Sequence, residues 1–422
     1  MRIALVTAQS PLDPAGAVRS AERQTPSLAH ALASDGHRVT IYARSTSDDY
    51  PRTAILGSGV SVEHVPAGPA KPMRDDKCAT YMPQFANYLT KHWRGKPPEV
   101  VHAFSWTGGL AALGAVRGTD VPVVQTFQSL GLTERRHGRN TEVSASRVQM
   151  EACIGRNAAA VLVSSADDAA ELAKLSVPKS AIRIVPCGID TEVFRPEGEI
   201  AERGSRPRLV TFARPGQAKA LEAVIIAVAQ IPAAELVVVG GPDAKHLPRT
   251  GAFRDLAQLA TKLLVRNRIV FAGELSQADL AALLRSADVL VSASPYEPSG
   301  ATTIQAMACG APAIVSAVGG HRDAVIDGIT GLLVAPEHPA MLAQRVRRLL
   351  DAPAMRQAFG IAAVDRARSR YSWERIGKET AAAYERCLDR TSEASAALDD
   401  EIAELEFESE MEATIGKVAA YA

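Results

Sequence analysis

Residues 295–323 read PYEPSGATTIQAMACGAPAIVSAVGGHRD. They follow the Val-rich run DVLVSAS (288–294), pass through a Pro/Gly loop and enter an Ala-rich stretch at Ala301. A second Val/Ile run, PAIVSA, comes next, and the segment closes on Gly319-Gly320. Short continuous β-branched runs separated by a helical segment mark parallel strands joined by a crossover helix. Such strands are covered on both faces, which explains why they are uniformly apolar instead of alternating.

The same rhythm extends in both directions. Upstream lie RLVTFAR, EAVIIAVAQI, ELVVVGG, FRDLAQLATKLL, RIVFAG and ADLAALLRSA, alternately strand and helix. An earlier series runs RIALVTA, TPSLAHALASDGH, RVTIYAR, EVVHAF, VPVVQTF, AAVLVSS and IRIVPCG. Between the two series, RPEGEIAERGSRPR concentrates charge, Pro and Gly, so residues near 195–207 read as a linker. The expected fold is α/β: two Rossmann-like doubly wound domains facing a central cleft, residues 1–200 and 208–370. Ligands in such sheets sit beyond the carboxyl ends of the strands.

Composition excludes several classes. The chain has 422 residues, with 47 Lys+Arg balancing 47 Asp+Glu. No basic excess calls for nucleic acid. The longest apolar region, AVIIAVAQIPAAELVVVGG, is broken by Gln230, Pro232 and Glu235, so no membrane span is expected. Five scattered cysteines without a CxxC pair read as reduced thiols of a cytoplasmic protein. Residues 371–390 read as a helix expected to pack back on the N-terminal domain. The acidic stretch 391–422 reads as a solvated amphipathic tail helix, with self-association into a homodimer as its alternative.

Two features point to phosphate chemistry. A helix starting at Ala301-Thr302 directs unpaired N–H groups and the positive end of its dipole at the loop, and Gly300 lets a phosphate approach. Arg214 and Lys219, in FARPGQAK, follow the first strand of the second series and can neutralise a diphosphate. Each feature alone has a bland reading as a turn glycine or a solvated cation. Their convergence on one sheet edge gives them weight. His102, ending EVVHAF, is the histidine best placed for an active site; His37, His64 and His321 read as surface or packing residues.

These motifs resemble the donor-binding half of retaining glycosyltransferases of the two-Rossmann GT-B architecture, family four. That family carries an Arg…Lys stretch, matched by Arg214 and Lys219. It also carries a Glu-x7-Glu stretch before Ala-Met-Ala-x-Gly-x-Pro, matched by Glu297 and EPSGATTIQAMACGAP, with Gln305 at the second Glu position. VPCGIDTEVF, VHAFSWTGGLAA and VPVVQTFQSLG resemble its other strand-end motifs, so the likeness covers about residues 1–388.

The resemblance implies a nucleotide-sugar donor, expected to be a UDP-sugar. Arg214 and Lys219 would hold its diphosphate, Glu297 its sugar hydroxyls, and Gln305 its ribose. Leu275, Gly300, Ala301 and Thr302 would complete the donor site. Gln128, which stands where the family has a His, would lie near the transferred sugar and, with Gly16 and His102, would face the acceptor. The family's Gly-Gly loop after the first strand is reduced here to Ala15-Gly16-Ala17. The implied reaction retains the anomeric configuration by same-face attack and needs no metal or other cofactor. The heavy Ala, Arg and Val usage is actinobacterial in character, and relatives in that setting serve small thiols, inositol lipids and antibiotic scaffolds. A small polar acceptor of the aminocyclitol or aminoglycoside kind, in antibiotic biosynthesis, is therefore expected. A degenerate sugar-nucleotide-binding protein and a nucleotide-sugar epimerase or phosphorylase on the same fold are the alternatives.

Overall fold

The structure is a computed structural model, and it describes residues 1–8, 10, 20–136, 143–213, 218–241 and 251–393. The expected acidic helix of 391–422 therefore lies almost wholly outside the described residues.

The N-terminal unit is built on an eight-stranded sheet. Its strands are β1 (Arg2–Thr7), β2 (Arg38–Arg44), β3 (Thr53–Gly57) and β4 (Val60–Val65), then β5 (Val100–Phe104), β6 (Val123–Thr126), β7 (Ala160–Val163) and β8 (Ile182–Ile184). Their order across the sheet is β3-β4-β2-β1-β5-β6-β7-β8, all parallel except the β3–β4 pair. The connecting helices are α1 (Ser20–Ser34), α2 (Asp75–Ala79), α3 (Met82–His92) and α4 (Ser105–Ala115), followed by α5 (Gly131–Arg136), α6 (Ala145–Asn157) and α7 (Ala166–Lys174). Alternate residues of β1 feed opposite cores. Ile3 and Leu5 pack with Leu28 and Leu32 of α1, whereas Ala4 and Val6 pack with Phe85 and Leu89 of α3 and with Ala111 and Ala112 of α4. Burial on both faces is what makes β1 a continuous apolar run.

The C-terminal unit repeats the plan with six strands. These are β9 (Arg208–Phe212), β10 (Glu235–Val239), β11 (Ile269–Gly273), β12 (Val289–Ser292), β13 (Ala313–Ser316) and β14 (Gly331–Val334). The order β11-β10-β9-β12-β13-β14 is parallel throughout and reverses direction between β9 and β12. Its helices are α8 (Ala218–Ala229), α9 (Gly251–Lys262), α10 (Gln277–Arg285) and α11 (Ala301–Ala308), then α12 (Gly319–Ala324), α13 (Pro339–Leu350) and α14 (Pro353–Tyr371). Leu209 and Leu236 face α8 and α13, while Val210 and Val237 face α10, α11 and α14.

The chain crosses between the units twice, at adjacent places. Ile189 donates its N–H to the Tyr371 carbonyl at 2.8 Å, and Ile189 bridges Ser372. Beyond Ser372 a last helix, α15 (373–393), returns to the N-terminal core, where Ala381, Tyr384 and Cys387 pack with Ile3 and Leu5. Gly188 sits at the crossing because any Cβ there would meet the Trp373 ring at 2.5 Å. The charged 195–207 stretch is not the crossing itself. Arg285 donates to the carbonyls of Val193, Arg195 and Glu199 at 2.8–2.9 Å, and Arg203 pairs with Asp288 at 2.9 Å. That segment is fastened to the C-terminal unit, and Phe194 is buried in its core.

Candidate active site

The strand order of the C-terminal sheet reverses between β9 and β12, so the carboxyl ends of those two strands flank the crevice where ligands bind such sheets. The loop leaving β12 carries Glu297, and the first turn of α8 carries Lys219. Gly300 is the N-cap of α11 with a left-handed backbone, φ 66°. Only a residue without Cβ fits, since a Cβ would stand 2.6 Å from the Gly320 carbonyl oxygen. Gly319, at φ 40°, is tighter still: its Cβ would lie 2.1 Å from the Glu297 carbonyl oxygen. Gly320 N–H donates to that same oxygen at 2.7 Å. The two glycine loops therefore interlock at the start of α11 and α12.

Glu297 is 2% exposed. Its Oε1 accepts from Gly300 N–H at 3.1 Å, and its Oε2 lies 3.6 Å from Nε2 of the buried His321. Backbone donation at a helix start and a neighbouring imidazole hold the carboxylate in place. Ala301, Thr302 and Gln305 follow on α11, each half-buried. Lys219 is exposed in the first turn of α8, at the carboxyl end of β9. Leu275 follows β11, half-buried against the C-terminal core. Arg214 and Gly16 lie outside the described residues.

On the facing unit, Gln128 is half-buried just beyond β6. The expectation for His102 needs correction. It is 1% exposed, with Nδ1 2.6 Å from Tyr384 Oη and Nε2 2.8 Å from Thr126 Oγ1. Burial pushes its pKa down to about 3. With both ring nitrogens engaged inside the protein, His102 ties α15 to β6 and does not present itself to an acceptor.

Several groups escape a reading of sequence alone. Ser105 opens α4 with φ 59°, a left-handed conformation that non-glycine residues avoid. Buried Gln125 steadies it by donating to the Ser105 carbonyl at 2.9 Å, at the point where the N-terminal sheet reverses. Strain kept at such a loop is a mark of functional regions. The two units also cap each other's helices. Asp167 of α7 accepts from Gly319 N–H at 2.7 Å, and Asp323 of α12 accepts from Ala166 N–H at 2.9 Å. Beside them Tyr296 Oη donates to Asp168 at 3.4 Å, and burial pushes the Asp168 carboxyl up to about 6. The loop that packs on Glu297 is thus held from across the cleft. No sequence motif announced this, because each partner lies more than 120 residues away.

Comparison with known proteins agrees with this geometry. A "Glycosyl transferase 4-like domain" model matches residues 20–188, and a "Glycosyl transferases group 1" model matches 197–366. A D-inositol 3-phosphate glycosyltransferase of Frankia alni is 30% identical over 383 residues, covering 86% of this chain and 93% of that protein. The chain belongs to the group 1 glycosyl transferases. It is a glycosyltransferase that uses a nucleotide sugar. Another D-inositol 3-phosphate glycosyltransferase, of Streptomyces scabiei, is 29% identical over 378 residues, 85% of this chain and 84% of that one. Among solved structures, sucrose-phosphate synthase of Thermosynechococcus elongatus superposes with a TM-score of 0.82 at 27% identity, covering 92% of this glycosyltransferase and 99% of that chain. Anabaena HepE, solved in complex with UDP and glucose, shares the fold with a TM-score of 0.67 at 17% identity, covering 90% and 98% of the two chains. Among the described residues no helix is long and apolar enough to cross a membrane, and no group of three or more His, Cys, Asp or Glu could hold a metal ion.

Proposed function

We propose that this glycosyltransferase moves a hexose from a UDP-sugar to a small cyclitol acceptor with retention at the anomeric carbon. The observation that carries the reading is the Glu297 carboxylate, buried and fixed by Gly300 N–H at the sheet reversal of the C-terminal unit. A carboxylate held there can accept from sugar hydroxyls while the N–H groups opening α11 face the diphosphate. Lys219, with Arg214, supplies positive charge as the diphosphate leaves. Gln305, one turn into α11, meets the ribose by accepting from one hydroxyl and donating to another. Gln128 stands across the cleft near the transferred sugar.

UDP is favoured by the complex reported for HepE, and a cyclitol by the acceptor printed in the names of the inositol phosphate relatives. The mechanism is same-face attack: the acceptor oxygen bonds to the anomeric carbon as the bond to the diphosphate breaks, and a diphosphate oxygen takes the acceptor proton. The enzyme contributes positioning and charge stabilisation. Cations and a helix start do the work that a metal does elsewhere, so activity should survive EDTA. The test incubates the protein with UDP-α-glucose and its N-acetylamino analogue against inositol 3-phosphate, inositol and an aminocyclitol, with the product's anomeric coupling read by NMR. An α-linked product from one cyclitol supports the reading. A β-linked product, or turnover that disappears with EDTA and returns with Mg²⁺, overturns the corresponding part.

A further inference from the structure

We propose that His321 is a positioning residue that sets the Glu297 carboxylate for the donor sugar. This rests on the reading of Glu297 as the sugar contact. His321 is the third residue of α12 and is 1% exposed. Its two ring nitrogens face different partners. Nδ1 lies 3.4 Å from Ser316 Oγ, and Nε2 lies 3.6 Å from Glu297 Oε2. Ser316 Oγ donates its own proton to the Ser294 carbonyl and accepts from Nδ1–H, so Nε2 acts as a donor toward the Glu297 carboxylate in the imidazolium form of the ring. The ring plane is thereby fixed from the β13 side, and Nε2 is directed at the carboxylate.

The backbone around this pair leaves little slack. Gly319 and Gly320 press against the Glu297 carbonyl, and Asp167 holds Gly319 N–H from the facing unit. Gly300 N–H anchors Glu297 Oε1 and the His321 ring faces Oε2, so the two contacts bear on different oxygens of the carboxylate. Burying an imidazole beside a buried carboxylate is costly unless the pair is used. Here the pair gives the carboxylate a second fixed contact.

Two amide substitutions separate the two sides of the ring. His321→Asn keeps a donor near the Nδ1 position for Ser316 but cannot reach Glu297. His321→Gln extends a donor to the Nε2 position. The readout is affinity for UDP-glucose relative to UDP, by calorimetry, with melting temperature followed in parallel. Because Glu297 meets the sugar and not the nucleotide, His321→Asn should lower that ratio about tenfold, and His321→Gln should restore it to within about twofold of wild type. Equal ratios in wild type and the Asn variant, or equal losses of UDP and UDP-glucose binding, would overturn the proposal. Glu297→Gln is the control for the underlying reading. If it lowers the ratio while His321→Asn does not, only the role of His321 falls. If it leaves the ratio unchanged, both fall.

Discussion

Replacing Glu297 by Gln tests the site with the least disturbance to the fold. The amide oxygen can still accept from Gly300 N–H at 3.1 Å, so the α11 cap survives. What disappears is a carboxylate oxygen, 2% exposed, at the start of α11. Hydrogen bonds to charged groups contribute about 1.5–3 kcal/mol, which sets the expected loss in kcat/KM for the donor at about 10- to 150-fold. Glu297→Ala should add a stability cost of about 1–3 kcal/mol, because it leaves the Gly300 N–H and His321 without this partner. Initial rates over a range of UDP-sugar at fixed acceptor, with a thermal melt of each protein, read both effects. A Gln variant with kcat/KM within about twofold of wild type would refute the assignment. So would a Gln variant that melts as early as the Ala variant, since Glu297 would then be structural.

Gly319→Ala should destabilise by more than the left-handed backbone alone explains. Gly328, at φ 75° with nothing within 4 Å of a built Cβ, is the control and should cost only about 1–2 kcal/mol. Equal melting temperatures for the two Ala variants would contradict the interlocked loops. Asp168 makes stability pH-dependent, because its native carboxyl holds a proton to about pH 6 whereas the ordinary value is 3.8. The associated stability is full below pH 3.8 and is lost as pH rises through 6, on the order of 3 kcal/mol in all. Asp168→Asn should therefore gain on wild type as pH rises from about 4 to about 6 and level off above that, and a pH-independent difference in melting temperature would refute the linkage. Gln305→Glu should keep UDP affinity or improve it by up to about tenfold, because an ionised acceptor bonds hydroxyls more strongly. Weaker binding measured by calorimetry would remove Gln305 from the ribose.

What could be read from the chain was whatever is local. Val/Ile runs such as RIALVT and AIVS became strands because both faces are buried, and the loop from Glu297 to Gly300 could be placed because its glycine and helix start are contiguous. The rest depends on contacts that sequence spacing does not record. His102 looked like an active-site group until Tyr384, far along the chain, was seen to take its Nδ1. His321 looked isolated because Glu297 lies 24 residues earlier and approaches only when two glycine loops interlock. Residues 195–207 have a linker's composition, yet one guanidinium, Arg285, fastens their backbone to the C-terminal unit.

The central claim is that a nucleotide diphosphate sits at the reversal of the C-terminal sheet, over the start of α11. Hydrogen exchange followed by mass spectrometry, with and without saturating UDP, measures this at the backbone itself. The account predicts slowed exchange in peptides spanning 297–305 and 318–322 and in the first turn of α8, with the outer face of α13 unchanged. Binding of UDP that leaves 297–305 unprotected, or that protects only the N-terminal unit, would contradict it.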